Sequence, residues 1–133
     1  YCRALCDYDL SFYDLYVRNG DYTENGGYLE MKALLALPIR PSALFAANDL
    51  MAIGAMLAVQ NEGLRVPQDI AIVGFDDIPA AKLVNPRLTT VAQFQDQIGQ
   101  QAAAMLFDRL CGQVSEQARY VEMPFEIIIR EST

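Results

Sequence analysis

The sequence predicts an α/β domain, or a large part of one, built on a parallel sheet. Residues 43–47 form a short apolar run, residues 70–75 form a β-branched one, and a segment of helical length separates them. A strand, a helix and a second strand in this order are typical of neighbouring parallel strands. With further helical segments on either side along the chain, we expect an open α/β sandwich with helices on both faces of the sheet.

The helix between these strands is predicted to span residues 50–62. Asp49 stands where an N-cap belongs and Gly63 where a left-handed C-cap belongs. Apolar residues run around most of this helix, so one face can cover the sheet while another still needs a partner. We therefore expect a homodimer contact at this helix, with Ile53 or Met56 reaching the partner subunit.

The part of the chain before this unit contains weaker signals. Residues 1–6 resemble the end of a helix, and residues 12–17 can form a strand. Thr23 can cap the next helix, which Pro38 and Pro41 would end.

Three elements are predicted after the central unit. Residues 88–91 are a short β-branched run, and a long amphipathic helix follows from about residue 94 to residue 110. Apolar residues alternate with mostly polar ones over residues 120–130, which indicates a final strand. Its core-facing side is expected to carry Val121, Met123, Phe125, Ile127 and Ile129. Because Pro124 cannot donate to a ladder, this strand lies at an edge or bends.

Polar side chains follow both strands of the central unit. Asn48 comes just past the first strand, and Asp76 with Asp77 just past the second. In open parallel sheets ligands bind beyond the carboxyl ends of the strands, so these residues predict a binding site. A carboxylate that accepts from adjacent hydroxyls, beside an amide that donates and accepts, suits a sugar. A turn before Tyr22 would bring its ring to the same edge, where it could stack on the sugar.

Each of these residues also has a purely structural interpretation. Asn48 can simply make a turn, Asp49 and Asp77 can cap helices, and Tyr22 can close the edge of the core. The sequence alone leaves both interpretations open.

Composition excludes several classes of function. The 133 residues carry a net charge of -7 and no histidine, which argues against direct DNA binding and removes histidine-dependent catalysis. Cys2 and Cys6 lie one helical turn apart, but without a third ligand we expect no metal site, and no phosphate loop or cofactor motif occurs. No apolar run is long enough to span a membrane, and no export signal opens the chain. Three cysteines without framework spacing favour reduced thiols in the cytoplasm.

Four stretches together resemble the lactose/galactose repressor (LacI/GalR) family: FAANDLMAIGAM, EGLRVPQDIAIVGFDDIP, NPRLTTV and IIIREST. The resemblance implies a bacterial transcription regulator with an N-terminal helix-turn-helix, a hinge and a two-lobed core shaped like a type I periplasmic sugar-binding protein. Residues 1–87 and 119–133 would belong to the second lobe of that core and residues 88–118 to the first. The DNA-binding domain is absent from this chain.

Carried over by motif, the resemblance implies that Asp76 is the ligand-binding carboxylate, Asn48 a polar ligand contact and Tyr22 the residue that stacks on the ligand. The family's binding arginine would lie upstream of Tyr1. The resemblance also points to helix 50–62 as part of the dimer interface. In that family the apolar stripe of helix 94–110 packs on the first lobe, so here we expect it to pack on its own sheet or on another copy.

These observations predict the effector-binding and dimerisation part of a cytoplasmic regulator, without enzymatic activity or cofactor. Its partners would be a sugar or nucleoside-like effector, a second copy of the chain, and operator DNA through the absent helix-turn-helix only. The first alternative is a periplasmic sugar-binding protein of a transporter or chemoreceptor, which shares the fold. The second is a sugar-modifying or nucleotide-dependent α/β enzyme, which lacks a visible base, metal cluster or phosphate loop.

Overall fold

The computed structural model describes residues 1–112 and 118–133, and its centre is a four-stranded sheet in the order β1-β2-β3-β4. The strands are β1 (Ala43–Phe45), β2 (Ala71–Phe75), β3 (Thr89–Ala92) and β4 (Glu126–Ile128). β1 and β3 are both parallel to β2, while β4 is antiparallel to β3. The predicted parallel pair and the α/β class are therefore confirmed.

Four α-helices and two short 3-10 helices accompany the sheet in the described residues. They are α1 (Cys2–Asp7), α2 (Glu24–Leu35), α3 (Asp49–Asn61), α4 (Gln95–Leu110), and the 3-10 turns Asp14–Tyr16 and Pro79–Lys82. Helix α3 begins and ends within one residue of the predicted bounds. Gly63 follows it in the left-handed region, with φ at 73°, which confirms the predicted C-cap glycine.

The core lies between one face of the sheet and the α2–α3 pair. Ile72 and Gly74 of β2 face it, and α2 and α3 supply Met31, Leu34, Ala52, Ala55, Met56, Ala58 and Val59. The two helices approach closely because glycines stand at their contact. A Cβ at Gly27 would collide with the backbone of Met51, and one at Gly54 with the carbonyl of Glu24. On the opposite face of the sheet the Phe45 and Phe75 rings meet edge to face, 6.4 Å apart.

The N-cap of α3 is Asn48, so the prediction of Asp49 as the cap is wrong. The Asn48 Oδ1 atom accepts from the Met51 N–H at 3.0 Å. Asp49 instead begins the helix, and its carboxylate accepts from Ile78 and Thr90, which come from two other parts of the chain. Local capping rules assigned the Asp49 carboxylate to the first turn of α3, but hydrogen bonds to distant residues hold it instead.

Residues 12–17 do not form the predicted strand. They contain the 3-10 turn Asp14–Tyr16, with extended backbone only at the flanking Tyr13 and Val17. Strand β1 is an edge of the sheet and pairs with β2 alone in the part of the chain that the structure describes. Residues 12–17 pair with no neighbouring strand among the described residues, so their apolar and aromatic composition does not by itself make them a strand.

The final strand is shorter than predicted and has the opposite face inward. Only Glu126–Ile128 pair with β3, and Phe125, Ile127 and Ile129 are 58 to 77% exposed. Ile128, Arg130 and Ser132 face the interior instead. Because side chains alternate along a strand, a polar anchor at Ser132 turns Phe125, Ile127 and Ile129 outward.

Helix α4 extends from the sheet without covering it. None of its residues is buried, and Phe94, Leu106 and Leu110 are exposed along its stripe. The expectation that this helix folds back on its own sheet is wrong, and packing on another copy of the chain stays a prediction.

The predicted boundary between the lobes falls at residue 88, yet β3 hydrogen-bonds to β2 within one sheet. The division into two lobes stays a prediction. That α4 belongs to a first lobe stays a prediction, and residues 113–117 of the same predicted segment lie outside the described residues. No helix in the described ranges has the length and apolarity of a membrane span.

Candidate functional site

The structure brings Asn48 and Tyr22 together at the carboxyl end of β1. The Asn48 Nδ2 atom donates to the Tyr22 carbonyl oxygen at 3.0 Å. Asp76 directly follows β2, and since β1 and β2 are parallel, Asp76 lies at the same edge of the sheet. The three predicted ligand-binding residues therefore share one edge.

Asn48 has limited capacity to bind a ligand because its side chain already has two structural partners. Its oxygen caps α3, and one of its amide hydrogens binds the Tyr22 carbonyl. A single amide hydrogen is left over as a donor. Asn48 therefore has a structural role, as the cap of α3 and not as the predicted turn residue, and any ligand contact would be additional.

Tyr22 presents its ring to solvent at this edge. It is 66% exposed, and its backbone is in the left-handed region at φ 64°. Asp21 fixes the turn, because its Oδ1 accepts from both the N–H and the hydroxyl of Thr23. These hydrogen bonds lower the pKa of the Asp21 carboxyl. The ring borders a cleft of about 260 Å³ that also contacts Arg18 and β1.

Asp76 is held toward β3 by two hydrogen bonds. Its N–H donates to the Val91 carbonyl at 2.9 Å, and its Oδ1 accepts from the Gln93 Nε2 at 2.7 Å. The residue has φ at 114°, a conformation that L-residues rarely adopt. It lines a cleft of about 500 Å³ with Asp77, Phe94 and the first turn of α4.

Asp77 serves as an ion-pair partner and not as a helix cap. Its carboxylate binds Arg130, which is largely buried, and also lies 3.6 Å from the Lys82 Nζ. Arg130 donates in addition to the Leu88 carbonyl at 2.7 Å. The predicted capping role is wrong, because the 3-10 turn Pro79–Lys82 has Ile78 at its N-cap and no side-chain cap.

Asp49 lies fully buried beneath the turn formed by Asp76 and Asp77. One carboxylate oxygen accepts from the Ile78 N–H at 2.9 Å and the other from the Thr90 hydroxyl. Burial raises the pKa of Asp49, and the nearby charges of Asp76 and Asp77 raise it further against those two hydrogen bonds. A Cβ at Gly74 would collide with this carboxylate, so glycine is required there.

The closing segment, residues 130–133, binds β2 and β3 through polar side chains. The Ser132 hydroxyl accepts from the Thr89 N–H at 2.8 Å and donates to the Ile72 carbonyl at 2.6 Å. Glu131 pairs with Arg87 at 2.8 Å on the surface. Apart from the family resemblance of IIIREST, no role was predicted for these residues or for Gln93. The available signal was that polar residues at positions 130 and 132 continue the inward-facing alternation of β4.

The predicted dimer residues differ in their availability. Met56 is 3% exposed and belongs to the chain's own core, so it cannot reach a partner subunit. Ile53 is half-buried, while Leu50 and Leu57 of the same helix are 41 and 43% exposed. No group of three potential metal ligands occurs among the described residues, and all three cysteines are free and exposed.

Comparison with known proteins agrees with this architecture. Residues 3–133 match the model of the periplasmic binding protein-like domain. The chain is 39% identical over 132 residues to the HTH-type transcriptional repressor PurR of Pectobacterium carotovorum subsp. carotovorum (strain PC1), covering 99% of this chain and 38% of PurR. It is 39% identical over 134 residues to the HTH-type transcriptional repressor CytR of Escherichia coli (strain K12), covering 100% of this chain and 39% of CytR.

Among solved structures, the transcriptional regulator CelR in complex with cellobiose superposes with a TM-score of 0.94 and 35% identity. The match covers 100% of this chain and 40% of CelR. This chain therefore belongs to the periplasmic binding protein-like domain family. Within that family its relatives are LacI-family regulators, and it spans about two fifths of their length.

Proposed function

We propose that this chain is the effector-binding part of a bacterial transcriptional regulator that senses a sugar or a similar small polar metabolite, such as a nucleoside. The observation that supports this most directly is the Asp76 carboxylate, which lines a cleft at the carboxyl edge of a parallel sheet. PurR and CytR are transcriptional repressors, and the structure of the transcriptional regulator CelR contains cellobiose.

The chemistry of the edge suits a polyhydroxylated ligand. Asp76 can accept from a ligand hydroxyl through the oxygen that Gln93 does not bind, and the remaining amide hydrogen of Asn48 can donate. The exposed ring of Tyr22 offers a flat apolar surface for one face of a sugar or a base. Ligand recognition by this lobe would thus combine one charge, one donor and one ring, with Tyr22 and Asp76 lining two different clefts at the same edge.

Truncating Asp76 tests the site directly. In the complete protein that contains this chain, Asp76→Ala should weaken effector binding by about 1.5 to 3 kcal/mol, the range for hydrogen bonds to a charged group. Calorimetry with cellobiose, D-ribose and adenosine as probes measures the change. Asp69→Ala is the matched control, because Asp69 precedes β2 at the opposite edge and pairs with Arg65. Equal affinity in the wild type and Asp76→Ala would remove Asp76 from the site.

DNA binding would come from a helix-turn-helix outside these residues, since a net charge of -7 disfavours direct contact with phosphates. Effector binding would change the relation of two subunits, and with it the affinity of the DNA-binding heads. We place this regulator in the cytoplasm and assign it no catalytic activity. The absence of histidine and of a metal-ligand cluster in the described residues supports that assignment.

The alternative is a periplasmic sugar-binding protein, which would use the same fold and the same edge. The repressor relatives and the three free, exposed cysteines favour the regulator. The coding sequence upstream of Tyr1 discriminates the two: a helix-turn-helix supports the regulator, and an export signal supports the periplasmic protein.

We also propose that the regulator is a homodimer that uses the outer face of α3, with Ile53 and the exposed Leu57 in the contact. Leu57→Arg in the complete protein should shift sedimentation from dimer toward monomer, because a charge buried in an apolar contact is costly. Ile129→Arg is the control, since Ile129 is 77% exposed and lies on the face of the sheet opposite to α3. A dimer that survives Leu57→Arg would place the interface elsewhere.

A further inference from the structure

A single side chain connects the carboxylate of the proposed effector site to the beginning of α4. Gln93 is partly buried, and its Nε2 donates to the Asp76 Oδ1 at 2.7 Å. A hydrogen bond between an amide and an ionised carboxylate is stronger than one between neutral groups. The backbone of Asp76 is already tied to β3 through Val91, so this bond holds the side chain of a residue whose position is set.

The connection matters because Gln93 lies in the short junction between β3 and α4. β3 ends at Ala92, Phe94 takes a left-handed conformation with φ 53° and ψ 57°, and α4 begins at Gln95. The first turn of α4 is closed by the N–H groups of Gln97 and Ile98 on the Phe94 carbonyl. Since no residue of α4 is buried, this junction helps to set the helix's direction relative to the sheet, together with Arg119, which binds Met105 and Asp108 in the second half of α4.

The same bond fixes how Asp76 presents itself to the cleft. With Oδ1 held by Gln93, rotation of the carboxylate is restricted, and Oδ2 stays available as a ligand acceptor. Asp76, Phe94 and Gln97 line one cleft, so a ligand bound to Asp76 would also contact the first turn of α4. The Asp76 carboxylate would thus be bound by Gln93 on one side and by a ligand that contacts α4 on the other.

We propose that Gln93 is a positioning residue that couples effector affinity to the orientation of α4. This inference rests on the proposed function of Asp76 as the effector-binding carboxylate. When α4 is in the orientation seen here, Gln93 holds Asp76 ready to bind; when α4 swings away, Gln93 is withdrawn and affinity falls. By thermodynamic reciprocity, effector binding then favours the orientation of α4 that keeps the Gln93–Asp76 bond.

Hydrogen exchange tests the connection without any ligand. In the complete protein, Gln93→Met removes the donor at nearly constant size, and Asp76→Ala removes the acceptor. Each should accelerate exchange of the Gln97 and Ile98 amides about fivefold, the equivalent of one hydrogen bond, and the double variant should add nothing further. Gln100→Met on the exposed part of α4 is the control. Unchanged exchange in Gln93→Met, or additive effects in the double variant, would overturn the coupling.

Calorimetry with cellobiose, D-ribose and adenosine separates this inference from the proposed function. Gln93→Met should weaken the binding of whichever probe the wild type binds by about fivefold, while its thermal unfolding temperature stays that of the wild type. The control variant Gln100→Met should bind the probe as tightly as the wild type does. Unaltered or tighter binding in Gln93→Met would overturn the positioning role. If the wild type binds none of the probes, the proposed sugar or nucleoside effector is in doubt, and the exchange experiment still decides whether Gln93 links Asp76 to α4.

Discussion

At the scale of single residues, the Asp49 carboxylate connects the start of α3 to the turn after β2 and to β3. Its carboxylate is reached by the Ile78 N–H after β2 and by the Thr90 hydroxyl of β3, and Gly74 leaves room for it. Thr90 also accepts from the Asp77 N–H at 3.4 Å. One buried acceptor thereby holds the turn that carries Asp76 against both parallel strands.

Asp49→Ala should lower the free energy of unfolding by about 3 kcal/mol, because it leaves a buried N–H and a buried hydroxyl without their charged acceptor. Urea denaturation followed by circular dichroism measures the change. Asp49→Asn should cost less, since its amide oxygen can still accept from Ile78. Asp69→Ala, at an exposed pair, should change stability little. A loss no larger than that of Asp69→Ala would contradict the role of Asp49.

At the scale of elements, the contact of α2 with α3 depends on two glycines inside helices. Glycine weakens a helix interior, but at Gly27 and Gly54 the backbone of the neighbouring helix occupies the position of a Cβ. Gly99 in α4 has nothing within 4 Å of that position. Glycine therefore serves packing in α2 and α3 and only weakens α4.

The two glycine environments predict opposite responses to alanine. Gly54→Ala should destabilise this chain by roughly 2 kcal/mol or more, because the α2 backbone cannot yield to the added methyl group. Gly99→Ala should stabilise α4 by about 1 kcal/mol through helix propensity alone. Urea denaturation reports the first change and the ellipticity of the folded chain the second. Both variants responding in the same direction would show that the contact is not as close as described.

At the scale of the whole molecule, the closing segment unites strands that lie far apart in the sequence. Arg130 binds Asp77 and Leu88, Ser132 binds Ile72 and Thr89, and Glu131 pairs with Arg87. The hydrogen bonds from Arg87 lower the pKa of Glu131 below its ordinary value of 4.5. A carboxyl whose pKa is lower in the folded state stabilises that state above its ordinary pKa and loses this contribution as pH falls.

The pH dependence of stability should reveal the Arg87–Glu131 pair. We expect the free energy of unfolding to fall as pH is lowered below about 4.5, and Glu131→Gln to reduce this slope while lowering stability at neutral pH. Asp49 acts in the opposite sense, because its raised pKa favours folding on acidification. Denaturation midpoints between neutral and acidic pH provide the measurement. An unchanged slope in Glu131→Gln would show that the pair does not contribute.

The sequence predicted the features that depend on neighbouring residues and missed those that depend on distant ones. Helix α3, its C-cap glycine and the parallel pair of β1 and β2 follow from local periodicity and punctuation. The inward face of β4 does not, because it is set by Ser132 bonding across the sheet to Ile72. The predicted strand at residues 12–17 failed for the related reason that a strand needs a partner.

The site divides in the same way. That Asp76, Asn48 and Tyr22 share one edge follows from strand order, which the sequence reveals. That Asn48 is occupied by capping, and that Gln93 rather than solvent holds Asp76, depends on rotamers chosen by tertiary contacts. A pattern of residue types carries no information about such choices.

The bond between Ser132 and Ile72 has a consequence for how this chain folds. It joins residues 60 positions apart, whereas α2 and α3 meet across a shorter connection, so closing the sheet costs more chain entropy than pairing the helices. Contacts of long sequence separation slow folding. The part of the chain from α2 to β2 should therefore fold first. The hydrogen bonds between β2 and residues 130–133 should form only when that segment docks, so its docking should be the late and slow step of folding.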